Sequence, residues 1–390
     1  MIIIVKILIA IAVLLIVIYA SSPLYLQAVE KRINRIDGAE DYKASKNSKD
    51  LHSTLFIIDL HCDSLLSYRN LLQRSSSGHS DIPRLVEGNI GLQVFGAATL
   101  IPLFPDMEKN DTGLGIAGFL AFLKHWPLNT WFSPKNRALY QGSKLHNLED
   151  KSKGALEIIK TSNQLENYYK RYMEKTHITA GLLALEGAHV INSIPGDIDE
   201  LFDQGFRIIG LTHLTDNKLG GSRHGAQKGG LTEFGKNALR RMEKLEMIID
   251  LTHASSKLTE DVLNICSRPV MVSHTGVKGC MNNNRNLSDR QIKAIAENGG
   301  LIGMGFWKEA VGKSNVEAIV NSIKHTSDLV GIKHVALGSD FDGGVSVPFD
   351  AAGMVHITEE LMRQGFSERE IRMIMGENAL NFLLNTLPKQ

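Results

Sequence analysis

The chain has 390 residues, 43% of them hydrophobic and 22% charged, the composition of a globular protein with ample core. Its 43 basic and 42 acidic residues leave a formal net charge of +1, which predicts no nucleic-acid partner. Three cysteines, Cys62, Cys266 and Cys280, argue against a disulfide framework and offer no C-x-x-C pair for a structural zinc.

The first element is apolar from Ile2 to Tyr19 except for Lys6. A bilayer takes ~20 apolar residues to span, so residues 1–20 are just long enough for a transmembrane anchor. The same stretch fits a signal peptide cleaved near Ala20-Ser21-Ser22. A buried core helix is the weaker reading, because the segment is apolar all round. Lys6 lies on one side and Lys31, Arg32 and Arg35 on the other, so charge does not orient it. The apolar start favours a membrane-anchored or exported protein with an extracytoplasmic, periplasmic catalytic domain. Residues 21–53 are polar and mixed and are expected to form a linker ahead of one domain over 54–390.

Eight candidate strands follow: 55–59, 90–99, 179–185, 206–211, 247–251, 269–273, 300–305 and 334–338. Their apolar runs are continuous rather than alternating, as in a parallel sheet buried on both faces. Helical patterns lie between several of them. Residues 232–246 open on a Thr cap, 288–299 on a Ser cap, and 315–331 close on Gly. This alternation predicts an α/β fold, a (β/α)8 TIM barrel with insertions, with a doubly wound open sheet as the alternative. The insertion at 104–178 has no readable fold.

In such a barrel the active site lies at the C-terminal ends of the strands. Six of the eight candidate strands end in a metal-capable or proton-transferring side chain: His61 and Asp63, Glu186, His213, His253, His274 and Asp340. A lone strand-end His is more often structural; here the set carries the argument. Residues i and i+2 of an extended segment point the same way, so His61 and Asp63 can reach one metal together. Imidazole and carboxylate donors suit Zn²⁺. Glu186 can bridge to a second ion completed by His253 and His274. Two such ions can hold a hydroxide at neutral pH, which makes a hydrolytic site.

The ordered set His61-x-Asp63, "EGAH" with Glu186, "LTH" with His213, "DLTHAS" with His253, "SHTGV" with His274, "NNRN" with Arg285 and "SDFDG" with Asp340 resembles the membrane dipeptidase (renal dipeptidase) family of zinc peptidases. "DIPRLVEGNIGLQVF" and "GGLTEFG" fit the same pattern, and the resemblance covers roughly residues 55–385. It implies a metal-dependent hydrolase barrel with two zinc ions per chain, cleaving dipeptides and tolerating a C-terminal D-residue. It implies that His213 polarises the scissile carbonyl and stabilises the oxyanion, and that Arg285 holds the substrate carboxylate. Asp340 would move the proton from water to the leaving amine. A homodimer is a further implication. The family pattern has Tyr where this chain has Trp307, beside the substrate carboxylate, and indole supplies no phenol hydroxyl. His189 and Asp342 read as structural or secondary, and 222–230 as a flexible loop near the mouth. The rival functions are another metal-dependent amidohydrolase, acting on acylated amino acids or lactones, and a non-catalytic binding protein.

Overall fold

The computed structural model describes residues 2–38, 43–111, 115–174 and 178–390. Positions 39–42 of the expected linker, and 112–114 and 175–177 of the 104–178 insertion, lie outside the described residues.

All eight expected strands form. They are β1 (Ile57–Cys62), β2 (Ile90–Ala98), β3 (Thr179–Glu186), β4 (Phe206–Gly210), β5 (Ile248–Asp250), β6 (Met271–Thr275), β7 (Leu301–Met304) and β8 (Val335–Leu337). Each pairs in parallel with the next, and β8 returns to β1 through Leu337 and Asp59. Closure makes this a (β/α)8 barrel rather than an open sheet.

The packing explains the continuous apolar runs. One buried cluster draws on every strand: Ile58 and Leu60, Leu92, Leu182, Ile208, Ile248, Met271, Leu301 and Ala336. That cluster is the barrel interior. Tyr168 and Tyr172 of helix Ser162–Glu174 and Leu383 of helix Asn378–Thr386 belong to it and close the barrel floor. A second cluster, with Ile57, Leu183, Ile209, Ile249 and Val272, lies between strands and helices. Burial on both faces leaves no room for polar alternation.

The caps act as expected. Thr232 accepts from Gly235 N, Ser288 forms a capping box with Gln291, and Gly331, with φ of 87°, closes the helix Val316–Val330. The unreadable insertion holds helices Ala117–Leu123, Leu128–Phe132, Pro134–Lys151 and Ser162–Glu174, with a short strand, Leu156–Ile158, added to β3.

Residues 2–33 form one helix, Ile2–Ile33, long and apolar enough in its first part to cross a membrane. Much of the stretch expected as a linker is folded onto the barrel. Gly344 N donates to Asn34 Oδ1, Arg35–Ile36 pairs with Ser346–Val347, and helix Lys46–His52 bonds to Thr358 through His52. Polar groups at Glu30, Asn34 and Ser45 find partners on the domain, which composition alone does not reveal.

Candidate metal centre

The strand ends bring seven donors to one point. Glu186, the last residue of β3, sits at the centre. Its Oε1 lies 3.2 Å from His253 Nε2, 3.5 Å from His274 Nε2 and 3.7 Å from His61 Nε2. Its Oε2 lies 3.7 Å from His213 Nε2. His61 Nε2 is also 3.7 Å from Asp63 Oδ2 and 4.0 Å from Asp340 Oδ1. His61 and Asp63 therefore face the same point, with room made by Gly96 on β2, where a Cβ would stand 2.7 Å from the His61 ring.

These separations fit metal ions better than direct hydrogen bonds. Donors around one tetrahedral zinc, at ~2.0–2.2 Å each, stand ~3.4 Å apart, whereas hydrogen-bonded N and O atoms stand ~2.9 Å apart. The donors form three overlapping groups: His61 with Glu186 and His274; Glu186 with His213 and His253; and His61 with Asp63 and Asp340. Buried His61 Nε2, Asp63 Oδ1 and Glu186 Oε2 have no hydrogen-bond partner among the described residues. A tetrahedral ion uses four ligands, and seven donors exceed one ion's needs.

The electrostatics point the same way. Burial, with Asp63 close by, drives the Glu186 carboxyl well above its ordinary range. Burial likewise raises Asp340 to about 7. Burial holds His213, His253 and His274 well below the usual imidazole value. Burial opposes the charged form of His61 too, but Glu186, Asp63 and Asp340 push it up to about 10. Crowded carboxylates beside the neutral imidazoles of His213, His253 and His274 are a donor set that a cation would suit.

The surrounding residues orient these donors. Ser273 Oγ donates to Asp250 Oδ2 at 2.6 Å and lies 3.1 Å from His274 Nδ1. Ser273 must then accept from His274 Nδ1–H, leaving Nε2 to face the pocket. His253 and Asp340 have φ of 64° and 62°, the left-handed region that non-glycine residues avoid at a cost of ~1–3 kcal/mol. Strain of this kind concentrates where side chains must be aimed.

Arg285 is buried beside the donors. Its Nη2 donates to His274 O at 2.8 Å, and its guanidinium stands 5.4 Å over the Trp307 ring. Burial lowers it to about 10, against the pull of Asp340 and Glu186. Trp307, where a phenol was the expected family residue, thus packs against the guanidinium and 5.9 Å from the His274 ring.

The other expectations divide. His189 stands outside the three donor groups, its Nε2 2.9 Å from Thr215 Oγ1. The loop at 222–230 is not loose at its start, because Ser222, Arg223 and His224 are buried. Arg223 was not singled out, yet it donates to the carbonyls of Ala254, Arg285 and Asn286, tying the Arg285 loop to the loop after β5 that carries His253. Only its place in the fold reveals it. His224, whose position in the sequence carries no strand-end signal, has its ring 5.3 Å from that of His253.

Asp342 faces away from the donors. It accepts from Ser64 Oγ at 2.6 Å, Arg69 Nη2 at 2.5 Å and His79 N at 2.6 Å. Burial would raise its carboxyl, but Arg69 and His79 hold it below the usual range. A depressed folded-state pKa gives stability that is present above the unfolded value, ~4, and lost as pH falls through the folded one. Asp342→Asn breaks a buried ion pair and is expected to cost ~3–5 kcal/mol at pH 7. Urea unfolding at pH 7 and near pH 3.5 checks this; the gap to the parent should narrow at the lower pH.

The membrane dipeptidase (peptidase family M19) model matches residues 45–386. The chain is 27% identical over 315 residues to dipeptidase verJ of Clonostachys rogersoniana, covering 78% of this chain and 75% of that one. Its fold is similar to that of the probable dipeptidase PvdM from Pseudomonas aeruginosa (TM-score 0.74, 18% identity, 88% of this chain and 98% of that one). It is also similar to a metallo peptidase from Rhodobacter sphaeroides solved with a phosphinate mimic of the dipeptide L-Ala-D-Ala (TM-score 0.69, 21% identity, 86% and 99%).

Proposed function

This chain belongs to the membrane dipeptidase family and is a metal-dependent dipeptidase, and on that premise we propose that it uses two zinc ions and accepts dipeptides with a C-terminal D-residue. The observation that carries the reading is Glu186, with both carboxylate oxygens among four imidazoles. His61 and Asp63 would hold one ion, His253 and His274 the other, with Glu186 shared. Ions bound there would polarise the scissile carbonyl and lower the pKa of water to ~7.

The chain's own residues supply the rest. Asp340, within reach of His61, takes the proton of the attacking water and delivers it to the leaving amine. His213 sits across Glu186 from the first-strand donors and donates to the oxygen that becomes negative. Arg285 holds the substrate carboxylate through two parallel hydrogen bonds, and Trp307 supports the guanidinium plane. A longer peptide places no carboxylate at that distance, which selects dipeptides. A C-terminal D-residue turns its side chain while keeping the carboxylate on Arg285; the ligand of the Rhodobacter sphaeroides structure supports this extension. Helix Ile2–Ile33 serves as an uncleaved anchor that places the domain outside the cytoplasm.

The test is metal content of the full chain with hydrolysis of L-L, L-D and N-acetylated dipeptides. The expected result is about two zinc ions per chain, cleavage of both free dipeptides, and loss of activity on chelation. Turnover of acylated substrates alone would replace the dipeptidase reading with an amidohydrolase one. Arg285→Ala is expected to lower kcat/KM for dipeptides ~30-fold or more, mostly through KM, because a buried charge pair contributes ~2 kcal/mol or more. Steady-state kinetics with a dipeptide and its C-terminal amide check it; the amide should lose little.

A further inference from the structure

The anchor helix does more than tether. It is exposed along its apolar part, at residues 3–11 and 13–17, and becomes buried on one face beyond that: Ser22, Leu26, Glu30 and Asn34, spaced by four. Pro23 lies inside the helix and has no N–H, so the Tyr19 carbonyl lacks its usual helical donor. His125, from the insertion after β2, fills that gap: its Nε2 is 2.9 Å from Tyr19 O, and its ring stacks on Tyr19 at 3.9 Å. Ser22 Oγ donates to Leu123 O at 2.7 Å. Further along, Glu30 pairs with Arg69 at 2.6 Å, and Arg69 pairs with Asp342 in the loop that carries Asp340. The helix is therefore fixed to loops that follow β1, β2 and β8, on the face of the barrel that holds the metal centre.

This fixes the depth of the insertion. Residues 2–21 at 1.5 Å per residue span roughly 30 Å, the thickness of a bilayer core, so Tyr19 sits at its edge and Leu15 within it. Leu15 lines one open groove of about 510 Å³ with Phe119, Phe122, Trp131 and Phe132 of the insertion. Phe119 is 52% exposed, Phe132 83% and nearby Leu128 64%, an apolar surface continuous with the anchor. Exposed Phe and Leu with a Trp beside them are the apolar face that an interfacial helix buries at the headgroup and acyl boundary.

We infer that the 115–133 insertion is a second membrane contact, dipping Phe119, Leu128 and Phe132 into the bilayer beside the anchor and holding the catalytic face toward the lipid surface. The inference rests on the anchor reading above. Its partner is the acyl and headgroup boundary of a bilayer.

The experiment uses the full chain with Cys280→Ser, since Cys280 is the exposed cysteine. Single cysteines at Ile9→Cys, Phe119→Cys, Phe132→Cys and Asn381→Cys carry a small fluorophore. The protein is placed in phosphatidylethanolamine–phosphatidylglycerol vesicles whose acyl chains are brominated, or challenged with aqueous iodide. Positions 119 and 132 should lose emission to brominated lipid nearly as strongly as position 9 does. Position 381, exposed on the barrel floor, should respond to iodide alone. Quenching at 9 with iodide access at 119 and 132 like that at 381 would overturn the second contact while keeping the anchor. No lipid quenching at 9 would overturn the anchor and this inference with it. Shielding of 119 and 132 from both quenchers would place a protein, such as a second copy, on the patch and overturn the lipid assignment.

Discussion

Asp340→Asn is expected to lower kcat for dipeptides at least a hundredfold while metal content stays near that of the parent. Asparagine keeps the shape and one carbonyl oxygen but cannot take up a proton at neutral pH. General acid–base groups contribute ~10²–10⁴ in rate, and here one carboxylate serves both steps. Asp340 stands 4.0 Å from His61, at the margin of the donor set, so the remaining six donors would still surround ions bound there. Its left-handed backbone is expected to persist, because asparagine tolerates that region as well as aspartate does. Single-turnover kinetics with metal analysis on the same sample check this. A variant that loses its metals in step with its activity would make Asp340 chiefly a ligand.

The larger effect is expected at Glu186. Glu186→Ala removes the donor at the centre of the cluster, so two ions held as proposed would each lose a ligand. Activity should fall by ~10³ or more, since metal activation of water and carbonyl is worth several kcal/mol. Metal content should drop below that of any single-histidine variant. The stability of the metal-free protein should move the other way. Burial and Asp63 push the Glu186 carboxyl up, so in the absence of cations it is a cost to the fold. The metal-free parent should therefore unfold at a lower urea concentration than metal-free Glu186→Gln, which keeps the volume. Adding zinc should stabilise the parent and leave the variant nearly unchanged. Equal responses to zinc would show that the ions are not held through Glu186.

Much of this molecule is legible in one dimension because its signals are local. The eight barrel strands announce themselves as continuous apolar runs, and the helix caps at Thr232, Ser288 and Gly331 are single-residue chemistry. The donors are legible for a topological reason: a parallel barrel puts every strand's C-terminal end on one face, so strand-end residues converge however far apart they lie in the chain. His61 and Asp340 meet for that reason.

What escaped the sequence depends on partners brought by the fold. The direction of Asp342 is set by Arg69, Ser64 and His79 N, from the loop after β1, and not by its spacing from Asp340. Arg223 matters through carbonyls of a loop some sixty residues later, and no periodicity marks it. Residues 21–53 look like a tether by composition, yet Glu30, Asn34 and Ser45 each have a partner on the barrel. The apolar helix, the barrel and the ligand residue types were determined by the sequence itself, because hydrophobic pattern and side-chain chemistry are properties of the chain. The order of donors around Glu186, the seat of Trp307 under Arg285 and the keying of Pro23 to His125 were decided by tertiary structure alone, because each is a distance between residues that only packing brings within reach.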